Sequence, residues 1–243
     1  MEIFNININY HFRDKLGLWL STNWLAKRLF GENRSIIFNR SICRSIIKYY
    51  GGDKGHLLNV NTGNLGYGFI HYAFILNHKP RRILCVGSRK GYIPSICALA
   101  CQENKKGHVD FVDAGYDEKD KNNWSGIGWW RKTKSDYHFG FLNANKYLRA
   151  YIMTTKEFAK KWHFNYDYIY IDGDHSYEGV KTDYKLFWKR LNKGGFMIFH
   201  DVNVKSQRGL PKFGVWKLLE EIKSNKLTFL NPKHSGLGII QKI

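Results

Sequence analysis

From residue 81 onward, short apolar runs alternate with longer segments of helical periodicity. The runs are four or five residues long and rich in Ile, Val, Tyr and Phe, which favours strands buried on both faces. Helical segments between such strands join them through right-handed crossovers. The pattern therefore predicts an α/β, doubly wound fold around a mostly parallel sheet, with strands at 82–86, 109–112, 150–153, 168–171 and 196–199.

The end of the chain departs from this alternation. Residues 227–230 and 238–240 follow a helix predicted at 215–223 and flank a short turn that contains proline and glycine. They predict a terminal antiparallel hairpin, which brings the sheet to seven strands.

The first 80 residues have a different character from the rest. Positions 14–50 carry apolar residues at helical spacing with basic residues between them. We interpret residues 1–80 as an N-terminal helical cap or extension and residues 81–243 as the main domain. An amphipathic helix lying on a membrane surface is the alternative for the first segment.

The formal net charge of +19 has two interpretations. Excess positive charge is typical of proteins that bind nucleic acid or another anionic partner. Lysines, asparagines and isoleucines are all plentiful, however, as an A/T-rich genome would produce, and the basic residues are scattered. A nucleic-acid partner is therefore the less favoured interpretation.

Cysteine usage and the absence of apolar spans in the sequence indicate the compartment. The four cysteines lack the spacing of a disulfide scaffold or a structural zinc site. The first residues lack the pattern of a signal peptide, and no run approaches the ~18 apolar residues of a membrane span. We expect a cytoplasmic protein with reduced thiols; the sequence leaves the oligomeric state open, a homo-oligomer included.

Ligands bind an open α/β sheet at the carboxyl ends of its strands, so the residues that follow each strand are the candidates for a site. The first strand leads into Gly87-Ser88-Arg89-Lys90-Gly91 and then a helix, where glycines let the backbone approach a nucleotide-like ligand. The turn has neither the G-x-G-x-x-G of dinucleotide sites nor the Lys-Ser/Thr of a P-loop, which argues against NAD, FAD and nucleoside triphosphates.

The second and third strands end in further candidates. Asp113-Ala114 follows the second strand, and a carboxylate there can accept hydrogen bonds from both ribose hydroxyls of a nucleoside. A surface or helix-capping aspartate is the alternative. Thr154-Thr155 follow the third strand, where they could border an adenine, although Thr155 suits the N-cap of the next helix equally well.

The densest cluster of polar residues follows the fourth strand and continues after the fifth. The fourth strand runs into Asp172-Gly173-Asp174-His175-Ser176, and the fifth ends in His200-Asp201. We interpret Asp174 and Ser176 as helix-capping residues. Because buried carboxylates need partners, we expect Asp172, His175 and Asp201 to form a divalent-metal site or to supply a general base.

Several of these segments resemble the class I S-adenosylmethionine-dependent methyltransferases. The resemblance rests on Arg82-Ile83-Leu84-Cys85-Val86-Gly87-Ser88, on Val112-Asp113, and above all on Ile171-Asp172-Gly173-Asp174-His175-Ser176-Tyr177-Glu178-Gly179. The last segment is similar to an I-D-G-D-H-x-Y-E-G signature of a subgroup related to small-molecule and sugar O-methyltransferases. The match spans about residues 81–243, and the resemblance implies that this region is the methyltransferase catalytic domain.

The resemblance implies roles for these residues. Gly87, Ser88 and Gly91 would line the methionine part of S-adenosylmethionine, Asp113 would hold its ribose, Thr154-Thr155 would lie near its adenine, and Asp172 would lie beside the transferring methyl group. In metal-dependent relatives an acid after the fourth strand and an acidic pair after the fifth hold Mg²⁺. Here Asp172, His200 and Asp201 stand at those places, with His200 replacing the first acid of the pair.

The catalytic prediction follows from the chemistry of methyl transfer to a hydroxyl, which needs alignment and loss of a proton. We expect His175 or His200 to be the general base, with Asp172 and Asp201 orienting it or holding a metal that lowers the pKa of the hydroxyl. Tyr67, between two glycines, could lie over the cofactor or belong to a plain turn. The aromatic insertion at 115–146 is expected to form the wall against a small-molecule or glycan acceptor.

Methyl transfer to a small-molecule or sugar hydroxyl is thus the first hypothesis for the function. An RNA or DNA methyltransferase is the second hypothesis, and a non-catalytic cofactor-binding module is the third.

Overall fold

The structure, a computed structural model, describes residues 39–51, 54–140, 143–206, 212–230 and 235–243. Its strands are β1 Arg82–Val86, β2 His108–Asp113, β3 Leu148–Ile152, β4 Tyr166–Ile171, β5 Leu191–His200, β6 Lys226–Phe229 and β7 Leu237–Gln241. The α-helices of the described residues are α1 Arg40–Tyr50, α2 Tyr67–His78, α3 Tyr92–Asn104, α4 Trp129–Lys132, α5 Ser135–Gly140, α6 Thr155–Lys161, α7 Tyr177–Trp188 and α8 Val215–Glu221.

The seven strands form one sheet in the order β3-β2-β1-β4-β5-β7-β6. Strands β1 to β5 are parallel, whereas β7 is antiparallel to both β5 and β6. The predicted fold class, with its seven strands and terminal antiparallel hairpin, is confirmed. The strand order reverses between β1 and β4, which is where an open sheet of this kind leaves a crevice for ligands.

The two faces of the sheet are covered by different helices. Along β1, Ile83 and Cys85 belong to a buried cluster with α1, α2 and α3, whereas Leu84 and Val86 belong to a second cluster with α6, α7 and α8. This alternation follows from the two-residue period of a strand. Burial on both faces explains why the central strands are continuously apolar.

The N-terminal helical cap is described only in part. The N-cap of helix α1 is Asn39, whose side chain accepts a hydrogen bond from the backbone N–H of Ile42 at 3.1 Å. The helix buries Ile42 and Ile46, which lie one turn apart. The predicted periodicity at 14–38 lies outside the described residues, and the domain boundary near residue 80 stays a prediction. In the part of the chain that the structure describes, no helix has the length and apolar character needed to cross a bilayer.

Candidate active site

A cleft of about 680 Å³ lies at the carboxyl ends of β1, β2, β3 and β4. Seven of the nine side chains and glycines that the sequence assigns to the cofactor line this cleft: Gly87, Ser88, Asp113, Ala114, Thr154, Thr155 and Asp172. The topology explains this result, because parallel strands bring their carboxyl ends to one edge of the sheet.

Gly87 lets the first turn pack directly against the turn after β4. Its φ is +68°, and a Cβ added there would lie 2.2 Å from the carbonyl oxygen of Asp172. The backbone N–H of Gly87 donates to the carbonyl of Val112 at 2.8 Å, and the N–H of Asp172 donates to the carbonyl of Val86 at 2.8 Å. The ends of β1, β2 and β4 are therefore joined by backbone hydrogen bonds at the floor of the cleft.

Gly91 lies outside the cleft lining and has a packing role. Its φ is +81°, and an added Cβ would lie 2.7 Å from the ring of Phe139 in the aromatic insertion. The neighbouring carbonyl of Lys90 contacts the Nε2 atom of His138 at 2.8 Å, and the hydroxyl of Tyr50 donates to the carbonyl of His138 at 3.0 Å. The insertion and α1 thus hold the glycine turn in place.

Asp113 lies at the end of β2 with its carboxylate in the cleft. Its Oδ1 atom accepts a hydrogen bond from the backbone N–H of Gly115 at 2.8 Å. Burial, with a smaller contribution from the charge of Asp172, raises the pKa of Asp113 to about 6. Above that pH the carboxylate keeps acceptor capacity for a pair of vicinal hydroxyls.

This pKa predicts that cofactor binding depends on pH if Asp113 holds the ribose. As the pH falls through 6, the carboxylate takes up a proton and loses acceptor capacity. At pH 5 about a tenth of the sites would be ionised, so the affinity for S-adenosylhomocysteine should be about tenfold weaker than at pH 7.5. Calorimetric titration at both pH values measures the change.

The Asp113→Asn variant is the control, because Asp183 and the histidines near Asp172 also lie close to the cleft. The asparagine keeps the shape of the side chain but does not titrate. Its affinity should change by less than about twofold over the same range. A tenfold change that persists in Asp113→Asn would assign the dependence to another group.

The two threonines after β3 have different partners. Thr154, not Thr155, is the N-cap of α6: its hydroxyl accepts from the backbone N–H of Glu157 at 3.2 Å, and Glu157 binds back to the N–H of Thr154 at 2.9 Å. Thr155 lies in the cleft lining with Asp183, where its side chain acts to lower the pKa of the Asp183 carboxyl group.

Asp183 is a cleft residue that sequence reasoning missed. It is 4% exposed on α7, and burial is the main cause that raises its pKa to about 7. The signal in the sequence is an acid three residues after Val180 and four before Phe187, in the buried stripe of an amphipathic helix. An acid in such a stripe indicates a partner or a cavity.

The capping prediction for the turn after β4 is confirmed for Ser176, whereas Asp174 bonds to the N-cap residue and not to the helix. Ser176 is the N-cap of α7, with its hydroxyl accepting from the backbone N–H of Gly179 at 3.0 Å. Asp174 accepts from the N–H of Ser176 at 2.8 Å. These bonds fix the loop that presents Asp172 and His175.

The structure brings together the four polar residues predicted at the ends of β4 and β5. His175 lies between two acids, with Nε2 3.3 Å from Oδ1 of Asp172 and Nδ1 2.7 Å from Oδ2 of Asp201. His200 Nδ1 is 3.0 Å from Oδ1 of Asp172 and 3.4 Å from Oδ1 of Asp201. Adjacent strands with parallel register make this cluster.

Charge and burial act in opposite directions on these residues. Burial alone would lower the pKa of His175, but Asp172 and Asp201 offset it and raise that pKa to about 10. Burial likewise opposes the charged form of His200, and the two carboxylates raise its pKa well above the ordinary value. Burial would raise the pKa of both acids, yet the imidazoles hold it below the usual range.

A fifth polar residue, His56, joins the cluster from the segment before α2. Its ring stacks on that of His200 with centroids 4.3 Å apart and an interplanar angle of 26°. Its Nε2 atom is 3.9 Å from Oδ2 of Asp172. Sequence reasoning missed His56 because a lone histidine in a polar turn gives no signal of its partners.

The donor set does not fit the Mg²⁺ ion implied by the resemblance. Mg²⁺ takes oxygen ligands in octahedral geometry and usually keeps several waters. Here the imidazoles of His56, His175 and His200 lie against the two carboxylates. Because the cluster is rich in nitrogen donors, we derive no catalytic step through Mg²⁺.

Aromatic side chains flank His175 on the side of the cleft. The ring of Trp124, from the insertion, is 5.6 Å from that of His175, and the ring of Phe213 is 5.4 Å from it. Trp124 also lines the cleft, and its buried Nε1–H has no hydrogen-bond partner among the described residues. Tyr67 lies elsewhere: it is outside the cleft lining, edge-on to His200 with centroids 6.1 Å apart.

Sequence comparison adds a family match to this geometry. Residues 84–202 match the family model described as a methyltransferase domain. An uncharacterized protein from Sinorhizobium fredii is 25% identical over 199 residues, which are 76% of this chain and 21% of that protein. An uncharacterized protein from Acanthamoeba polyphaga mimivirus is 37% identical over 62 residues, 25% of this chain and 27% of that protein. The chain thus spans about a fifth to a quarter of the length of these relatives.

Solved structures with the same fold cover nearly the whole chain. An O-methyltransferase from Bacillus cereus in complex with SAH has a TM-score of 0.54 and 14% identity, covering 93% of this chain and 100% of that one. The SAH-bound methyltransferase PaMTH1 from Podospora anserina has a TM-score of 0.57 and 13% identity, covering 100% and 99%. The O-methyltransferase TomG from Streptomyces achromogenes, in complex with SAM, has a TM-score of 0.54 and 11% identity, covering 93% and 97%. Residues 84–202 of this chain are therefore similar to a methyltransferase domain, and the chain has the Rossmann-like fold of these solved structures.

Proposed function

We propose that this chain transfers the methyl group of S-adenosylmethionine to a hydroxyl of a small molecule or sugar. The observation that supports this most directly is the placement of Asp113 and Asp172 in one cleft, on either side of the Gly87 turn, with His175 in contact with Asp172. The presence of SAM or SAH in solved structures of the same fold supports the choice of cofactor.

The lining of the cleft provides a place for each part of that cofactor. Gly87 and Ser88 offer a close backbone approach for the methionine part, as glycine turns before a helix do. Asp113 would accept the ribose hydroxyls. Thr155 and Asp183 line the same part of the cleft, where they would meet the adenine end.

His175 is the residue that we assign as general base. Its side chain is 12% exposed, whereas that of His200 is fully buried, so His175 is the imidazole that an acceptor bound beside Trp124 could reach. The two carboxylates hold a proton on it while the cleft is free. A positive sulfonium beside Asp172 would compete for that carboxylate and lower the pKa of His175 toward the working range of a base.

The acceptor site is expected on the aromatic side of His175. The rings of Trp124 and Phe213 pack edge to face with centroids 5.2 Å apart, and an aromatic wall of this kind suits a sugar or a planar acceptor. The indole N–H of Trp124 would donate to an oxygen of the acceptor, which would satisfy a buried donor. Methyl transfer is an in-line displacement, so holding the hydroxyl against the sulfonium supplies much of the rate.

Calorimetric titration with S-adenosylmethionine and S-adenosylhomocysteine tests the proposal. We expect micromolar binding to the wild type and binding about 10- to 100-fold weaker to Asp113→Ala, because hydrogen bonds to a charged group contribute about 1.5–3 kcal/mol. The matched control is Glu118→Ala, an exposed acid near the same strand end. Absence of binding to the wild type would contradict the assignment of the cofactor.

The two other hypotheses predict different results in the same assay. A nucleic-acid methyltransferase, which the charge of +19 would suit, should bind RNA or DNA with affinity that falls steeply with salt. A non-catalytic module should bind the cofactor but release no S-adenosylhomocysteine with any acceptor in a broad panel of sugars and phenols. Turnover on a small hydroxylated acceptor distinguishes the favoured function from both.

A further inference from the structure

The connections that lead into the five parallel strands carry charge of one sign. Each runs from the last residue of a helix or 3-10 turn to the first residue of a strand, and for β1 to β5 they are residues 78–82, 104–108, 146–148, 161–166 and 188–191. Together they contain nine lysines and arginines and no aspartate or glutamate. Basic residues that are scattered along the sequence are therefore collected at the amino edge of the sheet, opposite the cleft.

The register of the sheet sets these connections side by side. Arg82 pairs with His108 and Tyr166 pairs with Leu191, so the strands begin at nearly the same level. Neighbouring strands lie about 4.8 Å apart, and the amino ends of β3, β2, β1, β4 and β5 therefore span roughly 19 Å. At least one exposed lysine or arginine stands in the connection before each strand. The amino edge thus presents a row of positive charge.

Helix capping accounts for only part of this charge. The C-termini of α2, α3, α6 and α7 lie at this edge, where cations stabilise the helix dipole. Arg190 has this role, since its guanidinium donates to the carbonyls of Ala159 and Trp162 at 2.6 and 2.5 Å. Arg82 is paired with the buried Asp110 at 2.7 Å.

The remaining seven cations have no such role in the part of the chain that the structure describes. Their side chains are exposed and form neither a hydrogen bond nor an ion pair with a described residue: Lys79, Arg81, Lys105, Lys106, Lys146, Lys161 and Lys189. The nearest acid of β4, Asp167, accepts instead from the backbone N–H of Arg81 at 2.7 Å and from the side chain of Asn192 at 2.7 Å. Seven like charges are thus left available to an anionic partner.

We propose that this row binds the phosphate backbone of a nucleic acid. Phosphates follow one another at about 3.4 Å along the axis of one strand of a duplex, so a row of roughly 19 Å faces about five of them. Lysine and arginine make such contacts without reading the base sequence. The row lies about 15 Å from the cleft, the length of β1, so this surface goes beyond the proposed methyl transfer and does not make the nucleic acid the methyl acceptor.

An anionic membrane fits this edge less well. Peripheral binding to a membrane surface combines basic residues with large apolar side chains that enter the interface. The exposed large apolar side chains of the described residues lie outside the five connections, as Phe69, Ile127 and Phe229 do. A partner that needs only positive charge and hydrogen-bond donors therefore matches the amino edge better.

Fluorescence anisotropy with a labelled 20-nucleotide single-stranded RNA tests the proposal on the full chain. We expect a Kd of about 1 μM at 50 mM NaCl and binding about 100-fold weaker at 200 mM, the salt dependence of about five phosphate contacts on a single strand. A second RNA of unrelated sequence should bind within about threefold of the first. Absence of binding at 50 mM NaCl, or tighter binding to vesicles that contain anionic lipid than to RNA, would overturn the proposal.

Two fourfold variants with the same change in net charge locate the surface. The amino-edge variant carries Lys79→Gln, Arg81→Gln, Lys105→Gln and Lys106→Gln, and the control carries Lys119→Gln, Lys132→Gln, Lys134→Gln and Lys217→Gln, all at exposed positions. The amino-edge variant should bind RNA at least tenfold more weakly at 50 mM NaCl, and its affinity should fall only about tenfold by 200 mM. The control should stay within about threefold of the wild type. Equal losses in the two variants would mean that net charge alone attracts RNA, which would overturn the assignment of the surface.

Cleft variants separate this surface from the proposed function. Trp124→Ala, at the expected acceptor wall, and Asp113→Ala should bind RNA like the wild type, and the amino-edge variant should bind S-adenosylhomocysteine like the wild type. RNA binding that depends on Trp124 and not on the four cations would put the RNA in the cleft and overturn the proposal. Cofactor binding without RNA binding would overturn only the nucleic-acid surface, and RNA binding without cofactor binding would overturn only the methyltransferase proposal.

Discussion

Replacement of His175 with alanine should lower methyl-transfer turnover by about 10²- to 10⁴-fold, the range that a positioned acid–base group contributes. The physical reason is the place of the ring: it contacts Asp172 and Asp201 on one side and the rings of Trp124 and Phe213 on the other. The measurement is the initial rate of S-adenosylhomocysteine release with an acceptor identified in a panel of sugars and phenols.

Cofactor binding separates this effect from a general loss of structure. His175 does not line the cofactor cleft, so the Kd for S-adenosylhomocysteine of His175→Ala should stay within about threefold of the wild-type value. His163→Ala serves as the control, since His163 is exposed and distant from the acids. Undiminished turnover of His175→Ala with normal cofactor binding would remove His175 from the catalytic role.

Replacement of Gly87 with alanine should destabilise the protein by about 3 kcal/mol or more. The left-handed φ of +68° costs about 1–2 kcal/mol for a residue with a Cβ. The new methyl group would also lie 2.2 Å from the carbonyl oxygen of Asp172, and overpacking of this kind costs about 1–3 kcal/mol. Urea unfolding followed by circular dichroism measures the free energy of unfolding, and calorimetry measures the accompanying loss of cofactor affinity.

Gly194 provides the matched control for the backbone contribution. Its φ of +78° is similar, but a Cβ added there would meet no atom within 4 Å. Gly194→Ala should therefore show only the cost of the left-handed conformation, about 1–2 kcal/mol. Equal destabilisation by the two substitutions would mean that the turns after β1 and β4 can separate, which would contradict the close packing at the floor of the cleft.

Differences between predicted and observed elements have local causes. The strand predicted at 150–153 is β3, which begins at Leu148 and ends at Ile152; as an edge strand it exposes Arg149 and Ile152, so its apolar run is interrupted. The strand predicted at 196–199 is the end of β5, which begins at Leu191 and passes through polar residues before it becomes fully buried. A search for continuous apolar runs detects only the doubly buried part of a strand.

The sequence by itself determined the α/β alternation, the seven strands and the identity of the residues at the strand ends. These properties depend on periods of 2 and 3.6 residues and on chain order, which a sequence displays directly. Parallel strands then bring Gly87, Asp113 and Asp172 to one edge of the sheet without further information.

Only the tertiary structure decided which distant residues complete the site. His56 approaches Asp172 from a turn before α2, Asp183 lines the cleft beside Thr155, and Gly91 packs against Phe139. The two residues of each pair belong to different secondary-structure elements, so no strand or helix periodicity in the sequence links them. Their contacts depend on how loops and helices pack against the sheet, because burial and close approach are properties of the folded chain and not of any segment of it.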